Sequence, residues 1–300
     1  RFKISHNIRF LLPLINIFSL RLTLLNAFPG IGDVLFISSL VESIKIKYPN
    51  IRINVITEHC DLLENNQNIH SINKKNTFFT FRHWYLEIRQ NKPPDKHVLT
   101  ESLKKLGLPF EIQKPKYEVT DIERENAKKR LKDFKKPIIS INTSSKEPSK
   151  NWMAHYWEEL LDKLSKDFTI IQLGNESEIT FENTVRFAGK LNLRESISVI
   201  EQCSLFVGAA SFLMHAAASV GVKSVIVYGG RETPFNTGYE ENINLFEKIE
   251  CGPCWIHQED GEFCTKEMSC MKNISVNLVY SAIIQQLGGK NDKKKDKVSS

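Results

Sequence analysis

The stretch Arg21-Leu-Thr-Leu-Leu-Asn-Ala-Phe-Pro-Gly-Ile-Gly-Asp-Val34 runs from an apolar strand through a tight glycine-bearing turn into a helix. The strand covers Arg21 to Asn26, and Phe28-Pro29-Gly30-Ile31-Gly32-Asp33 closes it. Val34, Leu35, Ile37, Leu40, Val41, Ile44 and Ile46 then recur at helical spacing until Pro49 stops them. Ile51 to Thr57 reads as a second strand. Strand, helix and strand with short joints make a βαβ unit, so the strands are parallel and the crossover right-handed.

Working outward, residues 58–120 are irregular, with a polar run at Asn65-Asn-Gln-Asn-Ile-His70, an aromatic run from Phe78 to Tyr85, and Pro93-Pro94. Helices are expected near 96–106 and 121–134, and Lys135-Lys136-Pro137 breaks the chain. The α/β rhythm returns with strands at 138–142, 168–173, 204–207 and 223–228, and helices at 153–166, 177–187, 193–202 and 213–220. These expectations divide the chain into an apolar extension (1–20), a short first α/β half (21–136), a second (137–286) and a basic tail (287–300) expected to be disordered.

The 300 residues are 41% hydrophobic and 25% charged, values of a globular protein able to bury a core. Part of the net charge of +6 lies in the tail Lys290–Lys297. The remaining excess is too diffuse, and too poor in aromatic-interleaved basic motifs, for a nucleic-acid partner. Residues 8–20 are apolar but too short to span a bilayer; either they pack on the first half or they contact a membrane interface.

Four places carry chemistry. At the first turn, Gly30 and Gly32 allow a ligand to approach, but the dinucleotide fingerprint needs a third small residue where Leu35 stands. Asp33 has the wrong sign for a pyrophosphate. It either complements the helix dipole or accepts a proton from a bound hydroxyl. The loop Asn142-Thr-Ser-Ser-Lys-Glu-Pro-Ser-Lys-Asn-Trp152, at the end of a parallel strand, suits an anion or is a solvated loop. Small residues at Gly208-Ala-Ala-Ser211 let a phosphate approach the next helix start, where His215 is either a site residue or an ordinary core histidine. Cys251, Cys254, Cys264 and Cys270 read as four thiolates around a structural zinc or iron, with two disulfides as the alternative. Cys60 and Cys203 read as ordinary buried thiols.

Taken in order, these pieces resemble glycosyltransferase family 9, the heptosyltransferase-like enzymes of bacterial surface polysaccharide assembly. The resemblance rests on Gly32-Asp33-Val34-Leu35, Lys150-Asn151-Trp152, Gly174 with Glu178, Gly189-Lys190-Leu191-Asn192-Leu193 and Ala210-Ser211-Phe212-Leu213-Met214-His215, with the cysteine cluster after them. It covers about 21–285 and is stronger in the second half. It implies a GT-B fold: two Rossmann-like domains facing across a cleft, acceptor on the first and nucleotide-diphosphate sugar on the second.

The implied reaction is an inverting transfer, without a divalent metal, to a cell-surface glycan or glycoprotein. In keeping with it, the sequence has no Asp-x-Asp pair. The resemblance makes Asp33 the base, gives the phosphates to Lys150, Thr143 and Ser144, and gives the nucleoside to Glu178. Ser211, Met214 and His215 line the donor pocket, and Gly30 and Gly32 form the acceptor-side turn. The expected place of work is the cytoplasm, either free or at the inner face of the cytoplasmic membrane. Two departures stand out: the family's acid and glycine around Ser211 are Ala210 and Phe212 here, and the first half is short. They motivate an alternative, a degenerate homologue that binds a nucleotide sugar or a partner transferase without turnover. A nucleotide-sugar epimerase is disfavoured by the missing glycine and by the lack of a Tyr-x-x-x-Lys pair.

Overall fold

The computed structural model of the chain describes residues 8–28, 30–75, 78–90, 95–257 and 261–288. Pro29, Pro93-Pro94 and the tail from 289 onward lie outside the described residues. In chain order the first half holds α1 (Ile8–Ile17), β1 (Arg21–Asn26), α2 (Ile31–Lys47), β2 (Arg52–Ile56), β3 (Ile69–Ile72), β4 (Phe79–His83), α3 (Leu86–Gln90), α4 (Thr100–Leu106) and α5 (Asp121–Leu131). The second half holds β5 (Ile138–Asn142), α6 (Ala154–Leu164), β6 (Thr169–Gln172), β7 (Val185–Arg186), α7 (Leu193–Glu201), β8 (Leu205–Ala209) and α8 (Phe212–Ser219). After these come β9 (Ser224–Tyr228), α9 (Pro234–Thr237), β10 (Ile243–Phe246), α10 (Ser269–Lys272) and α11 (Val276–Gln286).

The strands form two parallel sheets, ordered β3-β2-β1-β4 and β10-β9-β8-β5-β6-β7. Both sheets grow one way from their first strand and then restart on its other side. Order therefore reverses between β1 and β4 in the first and between β5 and β8 in the second. Ligand crevices of open α/β sheets form outside the carboxyl ends of strands at such a reversal.

One apolar cluster runs from the first sheet through α2 to one face of the second sheet, and a separate cluster fills the second sheet's other face. This explains why every residue of α2 from Val34 to Val41 is buried: it packs on its own sheet and on α8 of the other half. Even Ser38 and Ser43 on α2 are buried, and each returns its hydroxyl proton to its own helix backbone. Gly32 permits the approach of the two helices, since a Cβ there would stand 3.2 Å from Cδ2 of His215. Farther out, α5 and α7 each begin with a capping box, and Arg124–Glu201 and Arg194–Glu123 ion pairs join them.

Some expectations need correcting. No helix forms over 177–187. Asn175 takes the Ser177 amide in a turn, Glu178 is drawn inward by three side chains, and Val185–Arg186 pairs with β6. Strands β3, β4 and β10 arise in stretches that carry little strand signal of their own. Cys203 is buried, but Cys60 is only half-buried. The segment at 8–20 packs through Ile8, Leu12 and Ile15 while leaving Phe10, Leu14, Ile17 and Phe18 exposed. Among the described residues, no helix is long and apolar enough to cross a membrane.

Candidate functional site

The loops at the two reversal points face each other. After β1 comes Asp33, in the first turn of α2; after β4 comes Tyr85. After β5 comes the loop ending in Lys150, after β8 come Ala210 and Ser211, and after β9 come Arg231 and Glu232.

Tyr85 donates its hydroxyl to Asp33 Oδ1 at 2.9 Å. Burial pushes the Asp33 carboxyl up to about 6, against the lowering effects of the Tyr85 hydrogen bond and of the Lys150 charge. A carboxylate with that value is ionised at neutral pH yet basic enough to take a proton from a polarised hydroxyl. Phe28 stacks on Tyr85 (ring centroids 3.9 Å apart) and on Trp84 (4.6 Å), which builds an aromatic wall beside the carboxylate.

Opposite Asp33, Lys150 Nζ donates to the Ala210 carbonyl at 3.0 Å and pairs with Glu232 Oε1 at 2.5 Å. Burial lowers the ammonium's pKa, and Glu232 opposes that effect. Arg231 is fixed behind this pair by the Ile256 carbonyl, His257 Nδ1 and the face of Trp255.

Thr143 and Ser144 donate their hydroxyls to Glu178 at 2.5 Å each, and Asn142 Nδ2 donates to the same carboxylate at 2.9 Å. Gly174, at φ 132°, permits this, because a Cβ there would stand 2.6 Å from Glu178 Oε1. Ser211 donates to Asn142 Oδ1 at 3.0 Å, which ties the β5 and β8 loops together. Met214 is fully buried and accepts from the Tyr228 hydroxyl, so it supports α8 from behind.

His215 lies between the halves, with Nδ1 2.7 Å from the Tyr239 hydroxyl and its ring against Phe36. Burial pushes its pKa down to about 3, so the imidazole is neutral at physiological pH. It is a partnered buried histidine and is far too weak a base to compete with Asp33.

The structure thus gathers Asp33, Lys150, Ser211 and His215 at the junction of the halves, with Thr143, Ser144 and Glu178 in one network beside them. Tyr85, Arg231, Glu232 and Tyr239 escaped the sequence reading. A signal for Glu232 existed: Gly229-Gly230-Arg231-Glu232 follows an apolar strand. Tyr85 follows an aromatic run, Phe79–His83, that carries little strand signal of its own.

Away from this junction, all four cysteines of the loop are free thiols, so no disulfide forms there. Burial raises the thiols of Cys254 and Cys270, and each also feels Cys264. The expected metal-binding loop is not realised as a ligand cage: among the described residues, no group of three or more His, Cys, Asp or Glu side chains is placed to hold a metal. Cys251 and Cys264 are exposed, Cys254 is half-buried and Cys270 is buried.

The profile of glycosyltransferase family 9 (heptosyltransferase) matches residues 74–262. A sequence search of curated proteins gives no match. Among solved structures, the fold resembles a family 9 glycosyl transferase from Veillonella parvula, at 16% identity and a TM-score of 0.69, covering 90% of this chain and 97% of that one. It also resembles the ADP-heptose LPS heptosyltransferase II of E. coli, at 16% identity and a TM-score of 0.67, covering 89% and 98%. A third similar structure is the iron-containing dodecameric glycosyltransferase TibC of enterotoxigenic E. coli, at 16% identity and a TM-score of 0.71, covering 88% and 75%.

Proposed function

The chain belongs to glycosyltransferase family 9, and from that premise we propose that it transfers a sugar from a nucleotide-diphosphate donor, with inversion and without a divalent metal. The observation that carries this reading is the opposition of Asp33 and Lys150 across the junction of the two sheets. Asp33 takes the acceptor's hydroxyl proton as the oxygen attacks the anomeric carbon. The bond from that carbon to the diphosphate oxygen breaks, and its electron pair leaves with the nucleoside diphosphate. Lys150 and the amides at the start of α8 meet the charge that develops there. The hydroxyls of Thr143 and Ser144 are engaged by Glu178, so in this reading their loop meets phosphate through its backbone and Lys150.

The sheets support a division into an acceptor half (21–136) and a donor half (137–286), as in a GT-B cleft. ADP-heptose, the donor of the similar E. coli heptosyltransferase II and the ligand of a TibC complex, is the first donor to test, and a bacterial surface glycan or glycoprotein the acceptor class. The exposed ridge of Phe10, Leu14 and Ile17 on α1, with Phe18 just after it, supports contact with a membrane interface. The four cysteines are chemically suited to zinc or iron and would hold it as a structural ion once Cys251 and Cys264 turned inward.

Incubation with a panel of nucleotide sugars tests the reading. The unaltered protein releases nucleotide from one of them, and Asp33→Asn cuts that turnover by about a hundredfold or more. The same variant is more stable than the parent. Ionising Asp33 costs the folded state progressively from its ordinary 3.8 to about 6, and in full above that. Removing the charge therefore gains up to about 3 kcal/mol at neutral pH. Donor binding with no turnover of any sugar would favour the degenerate alternative that Ala210 motivates.

A further inference from the structure

Glu232 is a buried carboxylate for which the transfer scheme has no use so far. It is 5% exposed and stands in the loop after β9. One oxygen pairs with Lys150, while among the described residues the other has a long ion-pair contact, 3.5 Å, from Arg231. A carboxylate beside a phosphate-binding lysine opposes diphosphate binding by charge, so its presence there requires another partner.

The geometry of transfer names that partner. The sugar being moved lies between the leaving diphosphate and the attacking hydroxyl, that is, between Lys150 and Asp33. Glu232 contacts Lys150 directly, and its charge acts on both Asp33 and Tyr85. The same ammonium touches the carbonyl of Ala210, whose side chain is a single methyl group. Lys150 thus links the Ala210 backbone to a carboxylate carried by the loop after a different strand. Carboxylates accept strong, directional hydrogen bonds from sugar hydroxyls.

We infer that Glu232 is a specificity-determining residue that receives the hydroxyls of the donor sugar, entering from the loop after β9 beside Ala210. The inference rests on the donor reading given above and adds the residue that distinguishes the sugar from the nucleotide. Glu232 recognises the glycosyl group, and Lys150 recognises the diphosphate.

Calorimetry with ADP and with ADP-heptose, without acceptor, separates the two roles. Glu232→Gln is expected to bind ADP at least as tightly as the unaltered protein, because a negative charge near the phosphates is gone. The same variant binds ADP-heptose about tenfold more weakly. Adding Ala210→Asp to Glu232→Gln recovers most of that loss, since the carboxylate returns from a neighbouring position. A purely structural role for Glu232 would weaken both ligands together and would gain nothing from Ala210→Asp. An unchanged ratio of the two affinities in Glu232→Gln overturns the inference alone. If the unaltered protein binds neither ligand, the ADP-heptose donor reading falls and the inference falls with it.

Discussion

The crevice of the first sheet presents an acid, a tyrosine and stacked aromatic rings, while that of the second presents a lysine, hydroxyls and a helix start. Both crevices grow from the same topological event, a reversal of strand order beside the first strand. Topology therefore fixes where each half offers its loops, and residue type fixes what those loops can do. A carboxylate after β1 repels phosphate and attracts a hydroxyl proton. A lysine after β5 does the reverse. Burial acts on the two in opposite senses: it raises the acid and lowers the lysine, bringing both toward neutral pH.

The largest expected effect breaks the second crevice. Lys150→Ala removes the cation facing the leaving group and should lower kcat/KM by about a thousandfold. It also leaves Glu232 buried without its strong partner, so the melting temperature falls. Combining it with Glu232→Gln restores the melting temperature and leaves turnover low, which separates the electrostatic role from the structural one. A much smaller effect probes the seam. Gly32→Ala places a methyl group 3.2 Å from the His215 ring, which is held by Tyr239 and Phe36 and must give by a few tenths of an ångström. Chemical denaturation should register a loss of about 1 kcal/mol, within the range for overpacked sites. A loss of turnover beyond that of stability would show that the spacing of the crevices is itself functional.

The two halves also differ in how much the sequence reveals. The unit β1–α2–β2 is legible because apolar runs of the right length are bounded by Gly32, Pro49 and Thr57. In the second half, β5, β6, β8 and β9 are short apolar runs closed by small or polar residues, and they too are legible. By contrast, Ile69-His-Ser-Ile72 becomes a strand because β2 offers it an edge: Ser71 donates to Asn54 Oδ1 across the pair. Nothing local announces that. Residues 177–187 mislead in the other direction, since Glu178 belongs to the Thr143 loop rather than to a helix.

The site follows the same division. Asp33 and Lys150 lie in motifs contiguous in the chain and can be read directly. Tyr85 and Glu232 reach those two residues only through the sheets, from β4 paired beside β1 and from β9 one strand beyond β5's neighbour β8, both distant in sequence.

The pH dependence of kcat/KM, for the unaltered protein and for Tyr85→Phe, tests most directly the claim that Asp33 is the base. The base must be ionised, so turnover rises with pH through about 6 and holds level above it. The Tyr85 hydroxyl lowers the carboxyl's pKa, so Tyr85→Phe moves the rising limb to higher pH while sparing much of the rate on the plateau. A profile that is flat across that range, or a limb that stays in place without the Tyr85 hydroxyl, would contradict the assignment of Asp33.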